Sequence, residues 1–346
     1  MSRFGKVIIL LFVSALILAA MVYIVGFEET MGTVKEAGAT AFLAPGAVML
    51  LFIVSHAGVL AALGRPIGHR VGMLTLMKAV TVGLATNIIT PSTYLGGEPV
   101  KVLYLREKTK KPYSEITGTI VLAKYLEALS FILVLGLSII AVVIGFGADL
   151  FRPPNLPLGI GLLVAAAAIV SSVVLCISLF RRWTPLTGLT GLAHRFWPKR
   201  RFIKRLCVRV RNMEYQVSHV FRKEVSAVLT AVCLFVLTNV MFFSKPLIFF
   251  FLGWHIGLKL SDLSLIFVAS QVLLAGQLTP SAVGTLDGGL LAIVSLADIP
   301  ITGPHCAAFL LCLRFWDAVA VAIGAILGTR MGIRIVEKNG EKEEKV

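Results

Sequence analysis

A proline-broken apolar segment occurs twice in this chain. Thr90-Pro91-Ser92 and Thr279-Pro280-Ser281 each interrupt an apolar run, and each proline is followed seven residues later by an acid, Glu98 or Asp287. The match continues downstream. Lys124-x-x-Glu127 lies 33 and 36 residues beyond the first proline, and Arg314-x-x-Asp317 lies 34 and 37 beyond the second. Short Pro/Gly-interrupted apolar segments at matching places in two halves point to a duplicated membrane transporter with its site where the halves meet.

The surrounding sequence is apolar enough to carry that reading. Only 15% of residues are charged, against about a quarter in a soluble domain, and the mean hydropathy is +0.90. Apolar runs of 18 or more residues recur, each long enough to cross a hydrocarbon core of about 30 Å as a helix. The expected fold class is an all-α polytopic membrane protein. The net charge of +15 is not a nucleic-acid signal, because the basic residues sit between apolar runs, where they mark cytoplasmic loops and meet anionic headgroups. The five cysteines include no CxxC pair and read as small core residues. No metal site, P-loop or dinucleotide fingerprint is present, so neither a metal nor another cofactor is expected.

Six transmembrane helices are expected at about 6–27, 39–63, 115–146, 157–180, 225–253 and 304–329. The first resembles a signal peptide, but its apolar stretch is too long for one and it reads as an uncleaved span. Two further segments, 71–106 and 261–298, read as re-entrant helical hairpins broken at Pro91 and Pro280. Basic loops place the N-terminus, 64–70, 106–114, 181–224 and the C-terminus in the cytoplasm, and 28–38, 147–156, 254–260 and 299–303 outside. The two halves, 1–150 and 151–335, then form an inverted-topology repeat in the cell membrane, followed by a charged tail at 336–346. The stretch 195–224 interleaves Lys and Arg with apolar residues at three-to-four spacing, as in an amphipathic helix resting on anionic lipid headgroups.

Glu98 and Asp287 fall at the hairpin tips beside Gly96 and Gly97 in one case and Gly284 in the other. Glycines and broken helices there allow close approach by a ligand, and helix N-termini favour anions. The alternative is that both acids cap helices or pair locally. Lys124/Glu127 and Arg314/Asp317 are one turn apart within spans, where an ionisable group is a functional candidate with a partner; they are read as anion-binding bases oriented by acids, or as salt bridges stitching spans to hairpins. Lys245, beside Pro246, is a weaker candidate whose alternative is to snorkel to the surface, and Lys78 is read as snorkelling there. Asn87, Asn239, Gln271 and Gln277 line a cavity or bond between helices. His56 is a proton-coupling group or a packing histidine.

Asn87-x-x-Thr90-Pro91 followed by Gly96-Gly97-Glu98-Pro99-Val100-Lys101 resembles the signature of the lysylphosphatidylglycerol synthase transmembrane region, a flippase-like domain family, and Pro280 with Gly284-x-x-Asp287 resembles its second motif. The likeness covers about residues 5–335. Lys101 and Asp287 stand where the family commonly has arginine and glutamate. The chain stops soon after its last span, so the aminoacyltransferase that some members carry is not expected. The resemblance implies lipid translocation without synthesis: a flippase or scramblase, not an enzyme, for a phosphate-bearing phospholipid, glycolipid or polyprenyl-phosphate lipid. The headgroup would sit between the tips on Glu98, Asp287, Lys124, Glu127, Arg314, Asp317, Lys101 and Asn87. On this reading Glu98→Gln and Arg314→Ala both abolish transport in a folded protein. Competing readings are an ion-coupled carrier of a small solute, a membrane enzyme acting on lipid, and a non-catalytic partner of a lipid-modifying enzyme. Proton or cation coupling and oligomerisation stay open.

Overall fold

The computed structural model describes residues 25–65, 71–90, 96–147, most of 159–173, 224–275, 282–297 and 299–343, with a few isolated positions besides and side chains only as far as Thr329. Most of the expected spans at 6–27 and 157–180, the basic helix at 195–224, and Pro91 and Pro280 with the turns around them lie outside the described residues. What is described forms helices and short connections, with no strand among it. The helices are α1 (Phe27–Gly64), α2 (Met73–Ile89), α3 (Glu98–Thr109), α4 (Tyr113–Phe146), α5 (Val225–Trp254), α6 (Leu260–Ala275), α7 (Thr285–Leu296) and α8 (Gly303–Glu343).

Four of them, α1, α4, α5 and α8, are long and apolar enough to cross a membrane. The protein is a multi-pass, all-helical membrane protein. Its apolar side chains face outward as well as inward: Leu133, Leu137, Ile140 and Ile144 form one exposed stripe along α4. Several hydroxyl groups within the helices bond back to their own backbone, as Ser130 does to Leu126 and Ser138 to Val134, so these carry no unmet donor into an apolar surrounding.

The short helices start and stop where the sequence supplies the chemistry. α2 ends at Thr90, which is extended, as a residue before proline should be. α3 begins after Gly97 with Glu98 and Pro99 in its first turn, and ends at a left-handed Lys110 with Arg106 and Lys108 in its last turn. That charge order complements the helix dipole. The 12 residues of α3 and of α7 span about 18 Å each, well short of a hydrocarbon core.

One expected boundary is corrected. Residues 28–38 are not a loop; they continue α1 through a single break at Gly38, whose φ of 74° and ψ of 172° leave the helix. Glu28 and Glu29 favour a helix there because they fall in its first turn, and Ala37 packs against Gly253 of α5. The expected tail at 336–346 is also helical as far as Glu343.

Packing fixes the direction of the long helices. Gly58 of α1 lies against Leu234 of α5, whereas Ala37 and Ala41 lie against Gly253, so α1 and α5 run antiparallel. Phe42 and Gly46 of α1 meet Trp316 of α8, starting end to starting end. The core divides accordingly. One apolar cluster gathers α2 and α3 with Ala57–Leu63 of α1, Ile116–Leu126 of α4 and Val228–Phe235 of α5. The other gathers α6 and α7 with Ala37 and Ala41 of α1, Val134–Val142 of α4, Phe249 and Phe250 of α5, and Cys306–Cys312 of α8. The two helical pairs therefore occupy opposite ends of the long helices. Contacts between elements are reciprocal: α2 packs on α8 as α6 packs on α4, and α1 packs on α8 as α5 packs on α4.

Glycines permit the closest crossings. A Cβ on Gly97 would overlap the carbonyl of Gly83, and one on Gly324 would overlap Ala85. Gly97→Ala should therefore force α3 off α2 and cost about 1–3 kcal/mol. Gly136→Ala, in the open interior of α4, should be neutral or stabilising by up to about 1 kcal/mol. Unfolding midpoints of the two variants in detergent, compared with wild type, check the contrast.

Candidate functional site

The first charged cluster grows from the start of α3. Asn87, near the end of α2, accepts a hydrogen bond from the Gly97 amide at 2.6 Å and so ties the end of α2 to the start of α3. Glu98 is thereby held at the head of α3, where its Oε1 accepts from Lys101 Nζ at 3.0 Å and from Lys124 Nζ of α4 at 3.1 Å. Lys124 also reaches Glu127 Oε2 at 2.8 Å. The other oxygen of Glu127 lies 3.6 Å from Nε2 of His56 on α1. Two acids and two lysines thus alternate across α3 and α4, with His56 of α1 at one end, in a narrow cleft floored by Val59, Leu60, Val80 and Phe235.

The second cluster grows from the start of α7. Asp287 is the third residue of that helix, and its Oδ2 accepts from the Gly284 amide at 2.9 Å. Gly284 takes φ 89°, a backbone conformation open to glycine at little cost. The other oxygen of Asp287 faces Arg314 of α8, with Nη2 at 2.8 Å and Nε at 3.2 Å. Arg314 Nη1 reaches Asp317 Oδ2 at 3.3 Å. Asp287 is 1% exposed and Arg314 10%, so each charge depends on the other rather than on water.

Between the clusters lies a cavity of about 210 Å³ that draws its walls from both halves. Phe52 and Met49 of α1, Phe242 and Phe243 of α5 and Phe309 of α8 make it largely apolar. Its polar groups are Asn87, Ser270, Gln271, Lys245, Arg314 and Asp317. Pro45 of α1 and Pro246 of α5 also line it. A proline inside a helix lacks the amide that would close its turn. Near Pro45, the carbonyl of Phe42 accepts from Trp316 Nε1 at 2.9 Å and Cys312 Sγ at 3.3 Å, both on α8.

The expected site residues are thus brought together in part. Glu98, Lys101, Lys124 and Glu127 form one group and Asp287, Arg314 and Asp317 another, and no ion pair within 4.0 Å joins the groups among the described residues. Asn87 braces the first hairpin and also touches the cavity. Lys245 corrects the sequence reading. It does not snorkel to a surface but faces the cavity, with Nζ 4.9 Å from the Phe242 ring. No carboxylate lies within 4.0 Å of it among the described residues, and the cation rests on the ring face instead. The lysine–proline step within an apolar run was the available signal, because a broken helix at mid-span must face protein or a cavity. Among the described residues no three His, Cys, Asp or Glu side chains gather as a metal site requires.

Comparison with known proteins places this architecture. The sequence profile of the Lysylphosphatidylglycerol synthase TM region matches residues 7–325, and the chain belongs to that family. A UPF0104 membrane protein of Methanothermobacter thermautotrophicus is 26% identical over 95% of this chain and 98% of its own length. No solved structure matches.

The geometry alters what one substitution can report. Arg314→Ala strips the partner from a buried carboxylate, so it should destabilise the fold by about 3–5 kcal/mol rather than act on function alone. Asp287→Asn with Arg314→Ala should recover most of that loss, since the amide oxygen still accepts from Gly284. A double-mutant cycle on unfolding midpoints reads the coupling.

Proposed function

We propose that this family member moves lipid across the membrane as a flippase or scramblase, taking a phosphate-bearing headgroup into the central cavity while the acyl or prenyl tails stay in the bilayer. The observation that carries the reading is that cavity. Its volume of about 210 Å³ is below the roughly 300–1,000 Å³ of sites that engulf a whole small molecule, and it suits a headgroup. Lys245 offers it an ammonium with no paired acid among the described residues, and Arg314 adds a guanidinium held in place by Asp287 and Asp317. A phosphate diester carries the complementary charge.

The helix directions support alternating access. α1 and α5 are antiparallel and the helical pairs lie at opposite ends of the bundle, as two halves of an inverted repeat would be. In this reading α2–α3 and α6–α7 are re-entrant hairpins, the first entered from the cytoplasm and the second from outside, with both chain termini cytoplasmic in the cell membrane. The basic 195–224 segment rests on anionic headgroups. The sequence carries no nucleotide-binding motif, so movement is downhill or ion-coupled. A carrier of a small anionic solute is the second reading, favoured by the same small cavity.

Purified protein in liposomes, supplied with headgroup-labelled anionic, zwitterionic and polyprenyl-phosphate lipids, tests both. Wild type should move at least one phosphate-bearing lipid. Lys245→Gln should slow that lipid by about tenfold or more, equivalent to about 1.4 kcal/mol, and Glu98→Gln should slow it as well by freeing two lysines at the hairpin. No lipid movement, together with uptake of a small anion, would replace the lipid reading with the second.

A further inference from the structure

We propose that His56 and Glu127 form a proton-binding site built into the first charged cluster. The argument starts from the imidazole. His56 is 6% exposed, stacked on Phe52 at a ring separation of 3.8 Å and met edge-on by Phe235 at 5.0 Å. Its Nδ1 lies 3.0 Å from the carbonyl oxygen of Phe52. A carbonyl oxygen only accepts, so the hydrogen of that bond belongs to Nδ1. In the neutral ring Nε2 is then a bare lone pair. It is buried without a hydrogen-bond partner and points at a carboxylate oxygen 3.6 Å away. Two acceptors face each other, an arrangement that a buried polar pair does not keep without compensation.

One proton resolves it. Taken from water onto the Nε2 lone pair, it makes an imidazolium whose Nε2–H donates to Glu127 Oε1 after a closure of a few tenths of an ångström, and it leaves by the reverse path. No other bond changes. Among the described residues, the charged groups that line this cleft all belong to the cluster. α4 contributes Glu127 and Lys124 and α3 contributes Glu98 and Lys101, whereas α2 and α5 present Val80 and Phe235 to the cleft. Without the proton the two acids balance the two lysines; with it the cluster carries one net positive charge. The added charge also changes what Lys124 shares. Glu127 binds Lys124 through Oε2, and Lys124 in turn holds Glu98 at the head of α3. Proton occupancy on α1 is thus connected through two carboxylates to the position of the first hairpin, which is the physical requirement for coupling movement to a proton gradient.

The test is independent of any transport assay. Full-length protein labelled with ¹⁵N-histidine in lipid nanodiscs is titrated from mildly acidic to mildly alkaline pH, and the ring nitrogens of His56 are followed, assigned by their loss in His56→Gln. The expected result is that Nδ1 stays protonated throughout while Nε2 gains and loses a proton, and that Glu127→Gln weakens that proton's binding by about tenfold or more. A Nε2 that never protonates overturns the proposal, as does a titration unchanged in Glu127→Gln. Should Glu127→Gln fail to fold, Glu127→Asp, which retracts the carboxylate by one methylene, serves in its place with the same direction expected.

Discussion

A charge withdrawn from water has to meet an opposite charge, and a backbone group withdrawn from water has to meet a donor or acceptor; inside a bilayer nothing else will satisfy them. Several features of this bundle answer to that constraint. The two acids that follow the prolines are both met by bases from the next long helix, Glu98 by Lys124 and Asp287 by Arg314. The carbonyl of Phe42, near Pro45, is met by two side chains of α8. The starts of the short helices α3 and α7 are braced by side chains that accept from their backbone, Asn87 from the Gly97 amide and Asp287 from the Gly284 amide.

The same constraint separates two kinds of charge. The first cluster balances two acids with two lysines, and in the second Arg314 is shared between Asp287 and Asp317. Lys245 has no carboxylate within 4.0 Å among the described residues and lines the cavity with Arg314 and Asp317. A bundle that keeps its paired charges as structure and leaves one cation toward a largely apolar cavity can offer a place for an anion without building a second buried salt bridge to hold it. Pro45 and Pro246 line the same cavity, and each lacks the amide that would close its helical turn.

The hairpins and the long helices are connected through few groups. Trp316 anchors α8 to α1 beside Arg314, and Lys124 connects α4 to the head of α3 beside His56. Rearrangement of either ion-pair cluster therefore moves a helix start and a span together, whereas the apolar clusters around them have no direction of their own. Among the described residues the second cluster holds no histidine, and the further cation lining the cavity with Arg314 and Asp317 is Lys245 on α5. The two ends of the molecule are alike in packing and unlike in chemistry.

Much of this was legible in the order of residues alone. Long apolar runs, the proline breaks and the flanking glycines determine helices and interruptions through local physics, and α2 through α7 begin and end within a few residues of where those signals put them. Partners one turn apart, such as Lys124 with Glu127 and Arg314 with Asp317, follow from helical spacing. The break at Gly38 was misread as a loop, because a single residue with positive φ leaves the helices on either side intact. Which groups meet across the bundle was decided only by tertiary structure. The acids recur at one offset and each meets a base from the next long helix of its own half, and Lys245 turns toward the cavity rather than to the surface. Both outcomes depend on the antiparallel crossing of α1 and α5. That crossing is set by where Gly58, Ala37, Ala41 and Gly253 let backbones approach, a property of two distant surfaces fitting together that neither segment carries by itself.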